Sequence, residues 1–186
     1  MHKRTNTIYS NNHRCGGKSK AMNNFEKQVA NIILKNDNEE IIIKKVVSLI
    51  RKEIGYKLLT FMIFNNNHKF AKRIYSSNKK TYPLGKSKKL PDNFWAVMTV
   101  KRKKSFVGNN KKEIEKYFYD HKIITSLGCE SILNQVVKFN NETIGTINIL
   151  HKKNYFTKTH LKKSDLIAKS LVTVFINKRK ELKYGK

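Results

Sequence analysis

A chain of 186 residues with 39% hydrophobic content is long enough to bury one sizeable core and too short for several. No apolar run approaches the ~18 residues that span a bilayer, and the N-terminus lacks the apolar centre of a signal peptide, so the sequence reads as soluble and cytoplasmic, with no membrane partner. The net charge of +27 keeps a polyanion-binding function open, while two cysteines, Cys15 and Cys129, are too few for a disulfide framework or a Cys-rich metal site.

Residues 1–22 are polar, basic and aperiodic, the composition of a disordered tail. Residues 23–36 hold a short amphipathic helix in which Phe25, Val29, Ile32 and Ile33 recur at helical spacing. An Asp37-x-x-Glu40 capping pattern opens a second helix, Asn38 to Ile54, with Ile43, Val47, Ile50 and Ile54 as its apolar stripe and Gly55 as its stop. Leu58–Phe64 (LLTFMIF) is almost continuously apolar over strand length, as a central strand covered on both faces should be. The Asn65–His68 loop leads to a second strand, Phe70 to Ser77. Residues 78–91 carry both prolines, Pro83 and Pro91, together with Gly85, and read as a loop. Helical spacing resumes over Phe94 to Val100 around Trp95. A short strand, Ser105 to Gly108, and a short helix, Lys111 to Tyr119, follow.

Ser131–Phe139 and Thr143–Leu150 are β-prone segments joined at Asn140-Asn141, residues that tolerate left-handed backbone. Asn134 and Asn148 interrupt them, and a buried amide needs a partner or a ligand. A two-residue turn sets Asn148 opposite Leu133, with the two amides on opposite faces. A three-residue loop with a bulge sets Asn134 opposite Asn148, on one face. Leu161 to Lys180 then forms a long amphipathic helix, which leaves residues 182–186 as a tail. Residues 37–181 thus make one α+β domain, an antiparallel sheet with the terminal helices over one face. The irregular segment 78–128 covers the other face, where it can enclose a cavity.

This order, ending in IGTINILH at Ile144–His151 before a long helix, resembles a GAF domain over about Asn38 to Arg179. More narrowly, several strings look like a bacterial group of small single-domain GAF-like proteins. They are RIYSSNKKTYPLG (Arg73–Gly85), Phe94-Trp95, SFVG (Ser105–Gly108), Asp120-His121 and SLGCESILN (Ser126–Asn134). The resemblance implies a five- to six-stranded antiparallel sheet, a small-molecule pocket under the middle loops and, often, a dimer formed through terminal helices.

Family chemistries are only partly represented. GAF-like methionine sulfoxide reductases need a thiolate and a resolving thiol, whereas the domain holds Cys129 alone, beside Glu130. The Cys-His pair of bilin attachment and the cyclic-nucleotide pattern are both missing. His68, His121, His151 and His160 form no ligand-spaced pair, so there is no metal signature and the cofactor is left unknown. The candidate ligand-binding residues are those whose polarity is out of place: Tyr75 and Ser77 at the end of the second strand, Trp95, then Asp120, His121, Ser126 and Cys129 before the hairpin, and Asn134 and Asn148 within it. The reading is a stand-alone small-molecule sensor with no output domain on the chain, signalling through a partner protein or a homodimer. One alternative is a small redox or hydrolytic enzyme using Asp120, His121 or Cys129. Another is a polyanion binder using Lys86, Lys88, Lys89 and Lys101–Lys104. Against the last, 34 of the 40 basic residues are Lys, and Lys, Asn and Ile share A/T-rich codons, so genome composition accounts for the excess. Arg, which base-specific readers favour, is scarce, so any nucleic-acid contact would be non-specific.

Overall fold

Seven consecutive buried residues, Leu58–Phe64 (β1), occupy the middle of the sheet. The computed structural model describes residues 22–35, 38–85 and 87–184. The basic N-terminal stretch with Cys15, Asp37 of the capping pattern and Lys86 lie outside the described residues. The other strands are β2 (Phe70–Ser76), β3 (Ser87–Lys89), β4 (Phe106–Gly108), β5 (Ser131–Phe139) and β6 (Glu142–His151). All pairings are antiparallel, in the order β3-β2-β1-β6-β5-β4.

β3 corrects the reading of residues 78–91 as loop throughout. Its pairing with β2 rests on backbone hydrogen bonds, which leave no side-chain signature. Lysines on a short edge strand are also what protects a sheet edge from further pairing.

The β5–β6 hairpin combines the two registers open to the sequence. Asn140 and Asn141 both have positive φ (45° and 57°) and close a two-residue turn between Phe139 and Glu142. A bulge then shifts the register between Val137 and Lys138, so Asn134 faces Asn148. The extra residue sits inside the strand rather than in the loop.

Two helices precede the sheet, α1 (Asn24–Leu34) and α2 (Glu39–Glu53). Asn23 forms a capping box with Glu26 at the start of α1. At α2 the cap is Asn38, whose side chain accepts from the Glu40 and Ile41 amides. The stripe α2 buries is Ile42, Val46, Leu49 and Ile50, with Ile43 and Val47 packed at its flank. The run Ile41-Ile42-Ile43 carries no phase of its own, and docking on the sheet selects Ile42. In α1 the buried pair is Val29 and Ile32, with Ile33 exposed.

The C-terminal helix is two helices, α6 (Lys158–Ser170) and α7 (Val172–Tyr184), preceded in the middle segment by α3 (Phe94–Ala96), α4 (Lys111–Tyr117) and α5 (His121–Ser126). The break at Leu171 has a local cause. The Ser170 hydroxyl donates to the Ile167 carbonyl at 2.7 Å, the acceptor a continuous helix would offer to the Leu171 amide. That amide turns to Ala168 and Lys169 instead. α7 runs on to Tyr184, through the start of what composition suggested was a tail.

α1, α2, α6 and α7 bury one sheet face through Phe61, Ile63, Leu133, Val137, Ile147 and Ile149. The segment between β2 and β5 covers the other through Leu58, Met62, Phe64, Ile132 and Leu150. The close approach of β6 to its neighbours is made at Gly145. A Cβ there would fall on the Met62 carbonyl oxygen and within 2.8 Å of the Phe175 ring of α7. None of the described helices is long and apolar enough to cross a membrane.

Candidate functional site

The sheet face turned away from the terminal helices floors a half-open cavity. Register decides which side chains reach it, because directly opposed residues share a face. One cross-strand row runs Thr60–Asn148–Asn134 through β1, β6 and β5. The next runs Arg73–Met62–Thr146 through β2, β1 and β6. Leu58, Leu150 and Ile132 make an apolar row on the other side.

The amide row is a continuous hydrogen-bond chain. Trp95 Nε1 donates to Asn134 Oδ1 at 2.9 Å, Asn134 Nδ2 to Asn148 Oδ1 at 2.5 Å, and Asn148 Nδ2 to Thr60 Oγ1 at 3.1 Å. Trp95 is held over the sheet by its own short helix. Asn93 caps α3 through the Ala96 amide and donates to the Tyr117 carbonyl at 3.0 Å. The helix then widens into π turns over Val97–Lys101, where the Thr99 hydroxyl donates to the Trp95 carbonyl at 2.9 Å and Thr143 donates to the Thr99 carbonyl at 2.7 Å. The indole meets Phe64 and Phe118 edge-on, with centroids 6.3 and 6.2 Å away.

Charge gathers on the β2–β3 side. Arg73 points from β2 onto the cavity face, and Lys88 of β3 pairs with Ala71 and so shares that face. The Arg73 guanidinium lies 4.9 Å over the Tyr82 ring and donates from Nη1 to the Pro83 carbonyl at 2.8 Å. The Tyr82 hydroxyl donates to Asp120 Oδ2 at 3.1 Å. Asp120 precedes α5 without capping it by its side chain, which leaves the carboxylate on the cavity. Burial lowers the pKa of Arg73, with Tyr82 and Asp120 opposing the shift. Burial likewise lowers that of Lys88, which Asp120 opposes and Arg73 reinforces. Burial, with the neighbouring Asp120, raises that of Tyr82, so its hydroxyl stays a donor. Tyr119, 78% exposed, marks the rim, with Lys88 Nζ 5.5 Å from its ring centre.

Four of the expected ligand residues, Trp95, Asp120, Asn134 and Asn148, line this cavity. The others do not. Tyr75 falls beyond the β-bulge between Phe61 and Met62, so its ring lies tilted against Phe61, centroids 4.9 Å apart, on the helix-covered face. Ser77 spends its hydroxyl accepting from the Leu59 amide at 2.9 Å. His121 begins α5 off the cavity lining, and Ser126 is exposed, donating to the Ile123 carbonyl at 2.8 Å. Cys129 is buried, with its thiol against the Leu127 carbonyl at 3.9 Å, and burial pushes its pKa up to about 11. The lining residues outside the expected ligand set are Thr60, Arg73, Tyr82 and Thr146, together with Lys88, which the sequence pointed to only as part of a polyanion-binding cluster. For Arg73 a signal existed: it is one of six arginines in a lysine-rich chain, placed in mid-strand, where a cation needs a reason.

No protein-family model matches the chain and no curated protein matches it in sequence. Solved structures do match in shape. The GAF domain of a phosphoenolpyruvate-protein phosphotransferase from Coxiella burnetii superposes with a TM-score of 0.67 at 14% identity, over 84% of this chain and 94% of that one. Its Acinetobacter counterpart gives 0.66 at 12% identity, over 84% and 95%. A type II free methionine-R-sulfoxide reductase from Thermoplasma acidophilum gives 0.57 at 18% identity, over 84% and 96%. These likenesses show that the chain has the GAF fold.

Proposed function

We propose that this protein is a ligand-binding regulatory domain that takes a small organic molecule between the sheet and the Trp95–Asp120 segment. The observation that carries the reading is the cavity itself, which has apolar walls and a few converging polar groups, the arrangement by which small-ligand sites combine affinity with orientation. The amide chain from Trp95 to Thr60 holds those groups in place before any ligand arrives, which lowers the ordering cost of binding. Signal transfer to a partner protein, or to a second copy through the terminal helices, would follow from ligand-dependent packing of the cover on the sheet.

A thiol-based redox role is less favoured. A nucleophilic cysteine needs a depressed pKa and access to substrate, whereas Cys129 is buried, off the cavity lining and shifted upwards.

Native mass spectrometry of the protein purified from its own cytoplasm, at low and high salt, tests the proposal. A discrete added mass of a small organic molecule that survives high salt supports it. A bare chain, together with a thermal midpoint unmoved by a broad metabolite collection, would sink it.

A further inference from the structure

Resting on that ligand-binding reading, we propose that the cavity is selective for a small organic monocarboxylate with a flat or branched apolar body. Its carboxylate would lie against Nη2 of Arg73 and beside Lys88, and its body against Trp95 and the Leu58–Leu150–Ile132 row.

Arg73 carries the argument. It is only 9% exposed, and a buried guanidinium is normally matched by a carboxylate. Among the described residues neither Arg73 nor Lys88 has an ion-pair partner. Asp120 is the only acid on the cavity lining, and its Oδ2 accepts from Tyr82 rather than from either cation. Arg73 uses Nη1 on the Pro83 carbonyl, while Nε is enclosed without an acceptor. Nη2 is neither enclosed nor hydrogen-bonded, and it is the nitrogen left for a carboxylate oxygen entering from the cavity. Tyr82 beneath the guanidinium fixes its plane.

A second unpartnered group lies in the same cross-strand row. Thr146 is fully buried, lines the cavity, and its hydroxyl has no hydrogen-bond partner. One strand, β1, lies between it and Arg73, two strand spacings on the order of 10 Å. Its hydroxyl is shut off from the open space, so Thr146 belongs to the cavity wall and is not a ligand contact.

Charge and shape favour a carboxylate over a phosphate ester. Lys89, also on the lining, is exposed and pairs with Phe70, out of phase with the cavity face. The two cations on that face, Arg73 and Lys88, exceed Asp120 by one charge, which a monoanion cancels. Phosphate sites gather backbone N–H donors at a helix N-terminus or a glycine-rich loop, whereas the donors here are side chains above an apolar floor.

Trp95, the sole tryptophan, supplies the readout. Benzoate, phenylacetate and 4-methylpentanoate, each beside its neutral primary amide, are titrated against the full chain while Trp95 emission and heat are followed. At least one carboxylate is expected to bind about tenfold or more tighter than its amide, as a charge-assisted contact should. Arg73→Lys, which keeps the charge and loses the fork, should cost that carboxylate about tenfold. Lys88→Met, at a half-buried edge position, should cost it severalfold, and both variants should weaken the amide less than the acid. Amides that bind as well as the acids would overturn the carboxylate class while leaving the ligand-binding reading intact. Carboxylate affinity untouched in both variants would overturn it as well. If no carboxylate binds, this inference falls, and the native mass measurement decides separately whether the cavity holds some other molecule.

Discussion

Asn134 is the residue on which the candidate site turns, since it accepts from Trp95 and donates to Asn148. Replacing it with Leu leaves both neighbours short of a partner inside a buried volume. An orphaned polar group costs about 1–3 kcal/mol, so Asn134→Leu should lower the free energy of unfolding in urea by that order. The emission of Trp95 should shift in the native baseline of the same titration, because its indole N–H loses its acceptor. An unchanged emission maximum would mean that the indole is not held by this bond. Such an amide is recognisable in a sequence as a polar interruption in an apolar strand. Its partner is not, because Asn148 and Trp95 come to it from other elements through the fold. Arg73 shows the converse: it stands in a recognisable motif, but its lack of an ion-pair partner among the described residues is a fact of three dimensions.

Among the elements, β6 sits between β1 and β5 with α7 against its face, and Gly145 is where that crowding is tightest. Gly145→Ala places a methyl against a backbone carbonyl and an aromatic ring, neither of which can swing aside cheaply. A cost of about 2–4 kcal/mol is expected, measured as a lower urea midpoint with little change in slope. A midpoint equal to that of the parent would mean that β6 and α7 separate more easily than the packing implies. Strong patterns made β1, β5, β6 and the main helices visible in sequence. Weak ones concealed β3 and α5: three residues of an edge strand and six of a helix bury too little to impose a period. The single break that splits α6 from α7 depended on one serine hydroxyl taking a backbone acceptor, a competition that apolar spacing does not register.

For the molecule as a whole, acid is the condition that should loosen it first. His151 stacks on Tyr155 with centroids 3.5 Å apart, and Tyr155 on His160 at 5.2 Å, while Tyr155 donates to the Ile54 carbonyl at 2.6 Å. This stack ties the end of β6 to the end of α2 and the start of α6. Burial, then nearby positive charge, lowers the pKa of His151 below 6.5, and its Nδ1 already accepts from the Lys152 amide. Burial is also the main cause of the lowered pKa of His160. Both rings therefore bind protons less readily folded than unfolded. Their contribution is fully present above the unfolded value near 6.5 and is lost as pH falls through the lower folded values. Thermal midpoints should hold between about pH 8 and 7 and decline towards about pH 5. His160→Gln, which preserves the capping box with Thr157, should flatten that decline. A flat profile in the parent protein would remove the histidines from the account. Carboxylates enter lower on the scale, where the bidentate Arg179–Glu142 contact (2.6 and 3.1 Å) holds Glu142 below its usual range.

Sequence alone determined the α+β class, the central strand, the hairpin and the division of the chain into a helical cover and an irregular one. These follow from apolar periodicity and turn chemistry, which act between near neighbours and are written along the chain. Only the tertiary structure decided which face each strand residue occupies, because a bulge in β1–β2 and another in β5–β6 each shift the register by one residue and so exchange faces. Those two shifts put Tyr75 on the helical side, Arg73 on the cavity side and the two asparagines together. The candidate site is composed of residues from β1, β2, β5, β6 and the cover between β2 and β5, and what singles it out is that a buried cation and a single acid meet in one cavity. That depends on solvent exclusion and long-range contact, which no local pattern encodes.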